Sequence, residues 1–159
     1  MALAKQKSPA DPADIQALDD FLCFAVYSAN LAINRALKPV LDELGLTYLQ
    51  YIVLVALYEQ DDQIVSALGD KLFLDSSTLT PLLKRMEAMG HLTRQRDPED
   101  ERQVRVRITP QGRSLREQAF AYRGGMIEAM GLSAAEYWQL REQMAKLRAN
   151  LSGAAHAKP

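Results

Sequence analysis

The chain has 159 residues, is 48% apolar and 25% charged, and carries a net charge of −1. Those values suit one folded domain with a sizeable core and exclude a globally basic protein, so any surface for nucleic acid has to be a local patch balanced by acid elsewhere. The single cysteine excludes an internal disulfide, and the two histidines, His91 and His156, lie too far apart to form a zinc ligand cluster.

No apolar run of about 18 residues is present, so no membrane span is expected. The first residues, MALAKQKSPADPAD, lack the apolar centre of a secretion signal, which predicts a cytoplasmic protein. Residues 1–10 read as a disordered tail. Asp11 followed by Pro12 has the form of a helix N-cap with proline in the first turn. Behind them Ile15, Leu18, Leu22, Val26, Ala29 and Ile33 make an apolar stripe at helical spacing. Lys38-Pro39 is expected to break or kink this helix, because proline lacks the N–H and crowds the preceding turn. A short helical piece then reaches Leu44, and Gly45 stops it.

Thr47 and Gln50 have the spacing of a capping box, with Leu46 and Tyr51 placed as a hydrophobic staple. The helix they start runs to Glu59 and is almost wholly apolar, which predicts the central buried helix. Gln60-Asp61-Asp62 is a loop. Ile64, Val65, Leu68 and Leu72 mark a short amphipathic helix, and Phe73-Leu74-Asp75 is a turn. The next helix buries Leu79, Leu82, Leu83, Met86 and Met89 at steps of three and four. Its other face shows Ser76, Ser77, Thr78, Thr80, Lys84 and Arg85, with Pro81 near its first turn and Gly90 at its end.

A strand is expected over Leu92 to Arg96, a turn over Asp97-Pro98-Glu99-Asp100, and a second strand where Val104, Val106 and Ile108 alternate with Gln103, Arg105 and Arg107. Thr109-Pro110 begins another helix, which runs to Arg123 and loosens at Gly124-Gly125. Gly131 closes that segment. Ser133 and Glu136 form a second capping box, and the last helix aligns Tyr137, Leu140, Met144, Leu147 and Leu151. Residues 153–159 read as a tail.

The fold class implied is mainly α with a small β-hairpin, a winged helix-turn-helix over 47–109. Residues 11–44 and 110–152 supply long helices for pairing with a second copy, all within one domain over 11–152. The second helix of the motif suits the major groove of duplex DNA. Its hydroxyl residues can approach phosphates or base edges, and Lys84 and Arg85 can reach phosphates or a guanine edge. The hairpin tip suits the minor groove, where an arginine meets negative potential. Arg102 is the candidate, with Asp100 close enough to orient it. Arg94, Arg96, Arg105 and Arg107 are phosphate contacts or salt-bridge partners. Either element alone is explained by a solvated surface; in this order they point to a homodimer on a pseudo-palindromic operator, with half-sites ~34 Å apart. No cofactor or metal is implied. An enzyme using Cys23 as a peroxidase would leave the wing and the basic helix face unexplained.

The stretches LGLTYLQY and LGDKLFLDSSTLTPLLKRMEAMGHLTR, the pattern Asp97, Asp100 and Arg102, and the closing ITPQG resemble the MarR family of bacterial regulators. LCFAVYS around Cys23, LKPVLDELGLTYLQY and LFLDSSTLTPLLKRME are similar to its organic hydroperoxide resistance regulators. That resemblance implies a dimeric repressor that leaves its operator when an N-terminal cysteine is oxidised. Cys23 matches that cysteine, and Tyr27 and Tyr48, from either subunit, match tyrosines that donate to its thiolate. Phe21, Leu22 and Phe24 would make the apolar seat of the sulfur. Leu37 stands where such proteins often have another tyrosine, which removes one donor, and the second cysteine that some members use is absent. A different signal fits the same frame: a small phenolic or aromatic ligand held near Tyr27, Leu37, Tyr48 and Tyr51, between the dimer helices and the winged-helix core.

Overall fold

The computed structural model describes residues 17–156. Leu18–Asp20 is one 3-10 turn, Phe21 is extended, and helix α1 spans Leu22–Glu43. The helix expected from Asp11 is therefore interrupted at Phe21, and its proposed cap at Asp11-Pro12 lies outside the described residues. Asp19 and Asp20 stand just ahead of α1, where the positive end of the helix dipole favours carboxylates. Pro39 does not break α1, which continues to Glu43. Proline here forfeits the one hydrogen bond its N–H would make to the Arg35 carbonyl, and the helix stops a turn later at Leu44 and Gly45, whose φ is +66°.

Helix α2, Tyr48–Glu59, begins at the expected capping box. The Thr47 N–H donates to Gln50 Oε1 at 2.8 Å, and the Gln50 N–H donates to Thr47 Oγ1 at 3.3 Å. Its apolar surface places Val53, Leu54, Ala56 and Leu57 in the core. A two-residue strand β1, Gln63–Ile64, follows, then helix α3, Val65–Leu72, and helix α4, Ser76–Ala88. Strands β2, Leu92–Arg96, and β3, Val104–Ile108, form the hairpin.

The hairpin expected from sequence is the outer part of a three-stranded antiparallel sheet, ordered β1-β3-β2. Ile64 pairs with Arg105 and Gln63 with Val106, so Ile64 belongs to a strand rather than to the helix after it. Two residues are too short for a period-2 signal, which is why the pattern alone misplaces it. Gln63 is buried because its side-chain amide donates to the carbonyl of Ala56 at 3.1 Å, at the end of α2. Leu79, Leu82, Leu83 and Met86 of α4 join α2, Leu68, Leu92, Val106 and Ile108 in one apolar cluster. Met89, expected in that cluster, is exposed. It follows the end of α4, and the chain turns away at Gly90, whose φ is +77°.

Helix α5, Pro110–Ala121, opens where Thr109-Pro110 predicts. The Gly112 N–H donates to Thr109 Oγ1 at 3.1 Å, and Thr109 Oγ1 donates to the Gly90 carbonyl at 2.7 Å. Arg116 of α5 lies over the rings of Tyr58 and Phe120, each 4.0 Å from its guanidinium carbon.

Residues from Ala121 onward form a separate compact unit. The break expected at Gly124-Gly125 falls earlier, at Tyr122. Both glycines lie inside helix α6, Arg123–Ala129. Helix α7, Ala134–His156, is capped by Ser133 and Glu136 as expected, but extends past the predicted end at 152. No single helix among the described residues is long and apolar enough to cross a membrane.

Gly112 is the tightest point of this fold. A Cβ there would collide with the His91 carbonyl oxygen and press on Ile108 Cγ1 at 2.9 Å. The backbone oxygen cannot move without disturbing the joint between α4 and β2. Gly112→Ala is expected to lower the unfolding free energy by about 1–3 kcal/mol, read as a fall in the urea midpoint at unchanged slope.

Candidate nucleic-acid interface

Helix α4 has two chemically opposite faces. Its apolar residues are buried, while Ser76, Ser77, Thr78, Pro81, Lys84 and Arg85 are exposed and Thr80 is half-buried. Pro81 lies beyond the first turn, so Ser77 C=O has no helical N–H to accept from. Lys84 and Arg85 have no ion pair among the described residues.

The wing arginines divide into two groups. Arg94 is committed to Glu87 of α4. The Arg94 backbone N–H donates to Glu87 Oε1 at 2.9 Å, and its guanidinium donates to Oε2 from Nε at 2.9 Å and Nη2 at 2.7 Å. This fastens β2 to the recognition helix. Arg105 Nε donates to Asp97 Oδ2 at 2.6 Å, and its Nη1 donates to the Asp62 carbonyl at 2.9 Å. Arg107 pairs with the Asp62 carboxylate. Arg96 Nη1 donates to the Glu101 carbonyl at 3.0 Å.

Arg102 is different. Its side chain is 90% exposed, and it pairs with Asp100, which accepts from its Nε at 3.0 Å and its Nη2 at 3.2 Å. The carboxylate braces the guanidinium and leaves the remaining N–H donors facing outward. Asp97 builds the turn beneath it. Its side chain is 8% exposed, and its Oδ1 accepts from the N–H groups of Glu99 at 2.8 Å and Asp100 at 3.3 Å. Ser76 and Thr80 of α4 line one cavity of about 370 Å³ with Arg94, Arg102 and Gln103 of the wing. Ser76 and Thr80, expected at the major groove, thus share one cleft with Arg102, expected at the minor groove.

The charges are tuned in one direction. The Glu99 N–H, then Arg105, hold Asp97 below the usual carboxylate range, against the cost of burial. Arg102 does the same for Asp100, Arg107 for Asp62 and Arg94 for Glu87. Burial alone pushes the His91 imidazole down. From sequence, Asp61, Asp62 and Glu87 look like loop and helix surface rather than partners of the wing. The outward-facing arginines at 105 and 107, next to an Asp-Asp pair leading into the sheet, are the signal that could have found Asp62, whereas Asp61 takes Arg113 and the Ile108 N–H.

The second group of candidates does not converge. Cys23 and Tyr27 lie on α1 and are exposed, so Phe21, Leu22 and Phe24 do not close a seat over the sulfur within one chain. At about 1.5 Å of rise per residue, Cys23 stands ~16 Å along α1 from Asn34, which lines one cavity with Tyr48 of α2. Tyr48 of the same chain therefore cannot serve Cys23. Tyr27 lies ~10 Å along α1 from Asn34, which lines a cavity with Tyr48, and Tyr27, Leu37 and Tyr51 are not among the residues that line it. Leu37 and Tyr51 pack against the core instead. A cavity of about 240 Å³ at the junction of α1 and α2 is lined by Asn34, Lys38, Leu41, Asp42, Leu46, Thr47 and Tyr48.

The same architecture and motifs recur in known proteins. A family model described as transcriptional regulator SarA/Rot matches residues 35–118. The HTH-type transcriptional regulator TtmR of Methylorubrum extorquens is 44% identical over 142 residues, covering 89% of this chain and 73% of the relative. The organic hydroperoxide resistance transcriptional regulator of Bacillus subtilis is 39% identical over 131 residues, covering 82% of this chain and 89% of the relative. A crystal structure of a cysteine-to-serine mutant of MarR from Escherichia coli, complexed with operator DNA, superposes with a TM-score of 0.74 at 26% identity, covering 79% of this chain and 92% of that one. The chain belongs to the MarR family of transcriptional regulators.

In this MarR-type winged helix the carboxylates of the wing are stabilising only while ionised. Their folded pKa values are depressed, so the contribution is present above the ordinary aspartate value of 3.8 and is lost as pH falls through the lower folded values. Urea midpoints should fall as the pH is lowered from about 5 to about 3. Asp97→Asn, less stable at neutral pH, should show a smaller fall over the same interval.

Proposed function

We propose that the chain is a homodimeric repressor that grips a pseudo-palindromic operator in duplex DNA and releases it when an organic hydroperoxide oxidises Cys23. The observation that carries the DNA reading is the outward polar face of α4 beside an arginine, Arg102, that the wing presents to solvent while it pairs its other arginines internally. Ser76, Ser77, Thr78, Thr80, Lys84 and Arg85 enter the major groove, and Arg102 reaches the minor groove. Arg94 serves the complex by locking the wing to α4 through Glu87 rather than by touching phosphate. The dimer is supported by the apolar side chains left exposed on α1 (Leu22, Val26, Tyr27, Ile33) and on α7 (Trp138, Leu140, Met144, Leu151).

The sensing step follows from the thiol. A Cys23 thiolate attacks the terminal peroxide oxygen, the O–O bond breaks, and the alkoxide leaves and takes up a proton as the alcohol. Sulfur is oxidised to the sulfenic acid and the hydroperoxide is reduced. A small thiol can then form a mixed disulfide and release water, or further peroxide can give the sulfinic acid. Tyr27 lies one turn from Cys23 on the same helix, and the span of α1 leaves the partner subunit's α2 as the source of a second tyrosine donor. The name of the Bacillus relative agrees with this signal.

Three measurements test the reading. On a duplex carrying the region upstream of its own gene, binding should weaken linearly in the logarithm of salt concentration. Lys84→Ala and Arg102→Ala should each weaken binding by about tenfold, and Lys84→Ala should reduce the salt slope by ~1. Cumene hydroperoxide should release the wild type and leave Cys23→Ser bound. Release of Cys23→Ser by the peroxide would remove the redox reading; release of both by a phenolic compound, with none by peroxide, would favour a ligand.

A further inference from the structure

The wing is joined to the body of the domain by a chain of ionic contacts that begins at Asp62. This residue has φ +56°, one of two non-glycine residues with positive φ among those described. Aspartate tolerates the left-handed region better than most residues, and here the conformation turns both its carbonyl and its carboxylate toward β3. The carbonyl accepts from Arg105 Nη1 at 2.9 Å. The carboxylate takes Arg107, with Nη2 donating to Oδ2 at 3.1 Å and Nε lying 3.0 Å from Oδ1, and has Arg105 Nη1 at 3.4 Å. From Arg105 the contacts run to the buried Asp97, from Asp97 to the N–H groups of Glu99 and Asp100, and from the Asp100 carboxylate to Arg102. The links span 2.6 to 3.4 Å and none is apolar.

The space beside this chain makes it decisive. Asp62, Asp97, Asp100 and Arg105 line an open, polar cavity of about 600 Å³ that also touches α3 at Ala67 and Lys71. The wing turn therefore does not rest on an apolar surface of α3, and β1 supplies only two ladder residues at its root. We propose that Asp62 is a positioning residue for DNA binding: by clamping Arg105 and Arg107 at the wing root it sets, through Asp97 and Asp100, where Arg102 stands. This rests on the DNA reading above, and its test separates the two.

Asp62→Asn keeps a residue that accepts positive φ and the carbonyl contact, and removes the charge. Asp62→Gly does the same with the least backbone strain and guards against a folding defect confined to the first variant. Amide exchange on the full chain, without DNA, should show the Glu99 and Asp100 N–H groups losing protection in both variants, while the amides of α2 keep theirs. Unchanged Glu99 and Asp100 protection overturns the proposal whatever the DNA result. On the upstream duplex, Asp62→Asn should weaken binding by about fivefold, and the double variant Asp62→Asn with Arg102→Ala should bind no more weakly than Arg102→Ala alone. Multiplicative losses in the double variant overturn the proposal, because Asp62 would then act without Arg102. A wild type that binds no duplex overturns the DNA reading instead, and the exchange data still decide whether Asp62 holds the wing.

Discussion

The outward polar face of α4 exists because its other face has one place to go. Leu79, Leu83 and Met86 are fully buried in one apolar cluster with Leu68 of α3, Leu92 of β2 and Val53, Leu54 and Leu57 of α2. Removing one such side chain costs about 2–5 kcal/mol, a large share of a domain's stability. Rotating α4 by one residue step would expose part of that set and carry Lys84 or Arg85 into the core without a partner. The register of the recognition surface is thus fixed from behind, by packing, and no contact on the polar side is needed to hold it. That leaves hydroxyl, amine and guanidinium groups uncommitted, which is what a surface meant to exchange water for phosphate and base edges requires.

The wing solves the opposite problem. A two-stranded ribbon is marginal on its own, and it carries like charges on both faces, Arg94 and Arg96 beside Val104 and Val106 and Arg105 and Arg107 on the opposite side. Each is answered from the protein itself: Glu87 takes Arg94, Asp97 and Asp62 take Arg105, Asp62 takes Arg107, and the Glu101 carbonyl takes Arg96. Pairing these cations removes them as competitors for phosphate and stiffens the ribbon. The arginine at the tip then arrives without the entropy of a floppy arm, and its brace, Asp100, is a partner that solvent screening keeps weak. An exposed pair of this kind is easily exchanged for a contact to DNA, whereas the buried Asp97 pair is not.

Most of this was legible in the residues because local signals and tertiary needs agree. The capping boxes at Thr47 and Ser133 and the apolar steps along α4 each have one structural solution. The misplacements have physical causes. Strand β1 is made by pairing with β3 and not by its own two residues. Pro39 withdraws only the hydrogen bond to the Arg35 carbonyl, and the helix carries on past it to Glu43. Met89 belongs to the α4 periodicity but lies past its last turn. The partners of Arg94 and Arg107 come from Glu87 and Asp62, and sequence spacing does not reveal a contact across 45 residues. The redox and ligand candidates scatter along α1 and α2 for another reason: on the proposed reading they assemble only with a second chain, and a sequence carries no distances between chains.

Dependence on a second chain also limits how sensing can reach DNA. On the proposed reading Cys23 stands at one end of a long helix whose far end packs into the core through Leu41. On that reading a new polar oxygen on the sulfur does not reach α4 through the chain's own core, since Cys23 and its neighbours Leu22 and Ala25 on α1 are exposed. Its effect must be felt where α1 meets the partner, by disfavouring one arrangement of the two copies over another. A preference of about 1–3 kcal/mol between two arrangements changes operator affinity by roughly 5- to 150-fold. The winged helix need not deform at all, because a duplex with two fixed half-sites rejects two intact readers that stand at the wrong separation.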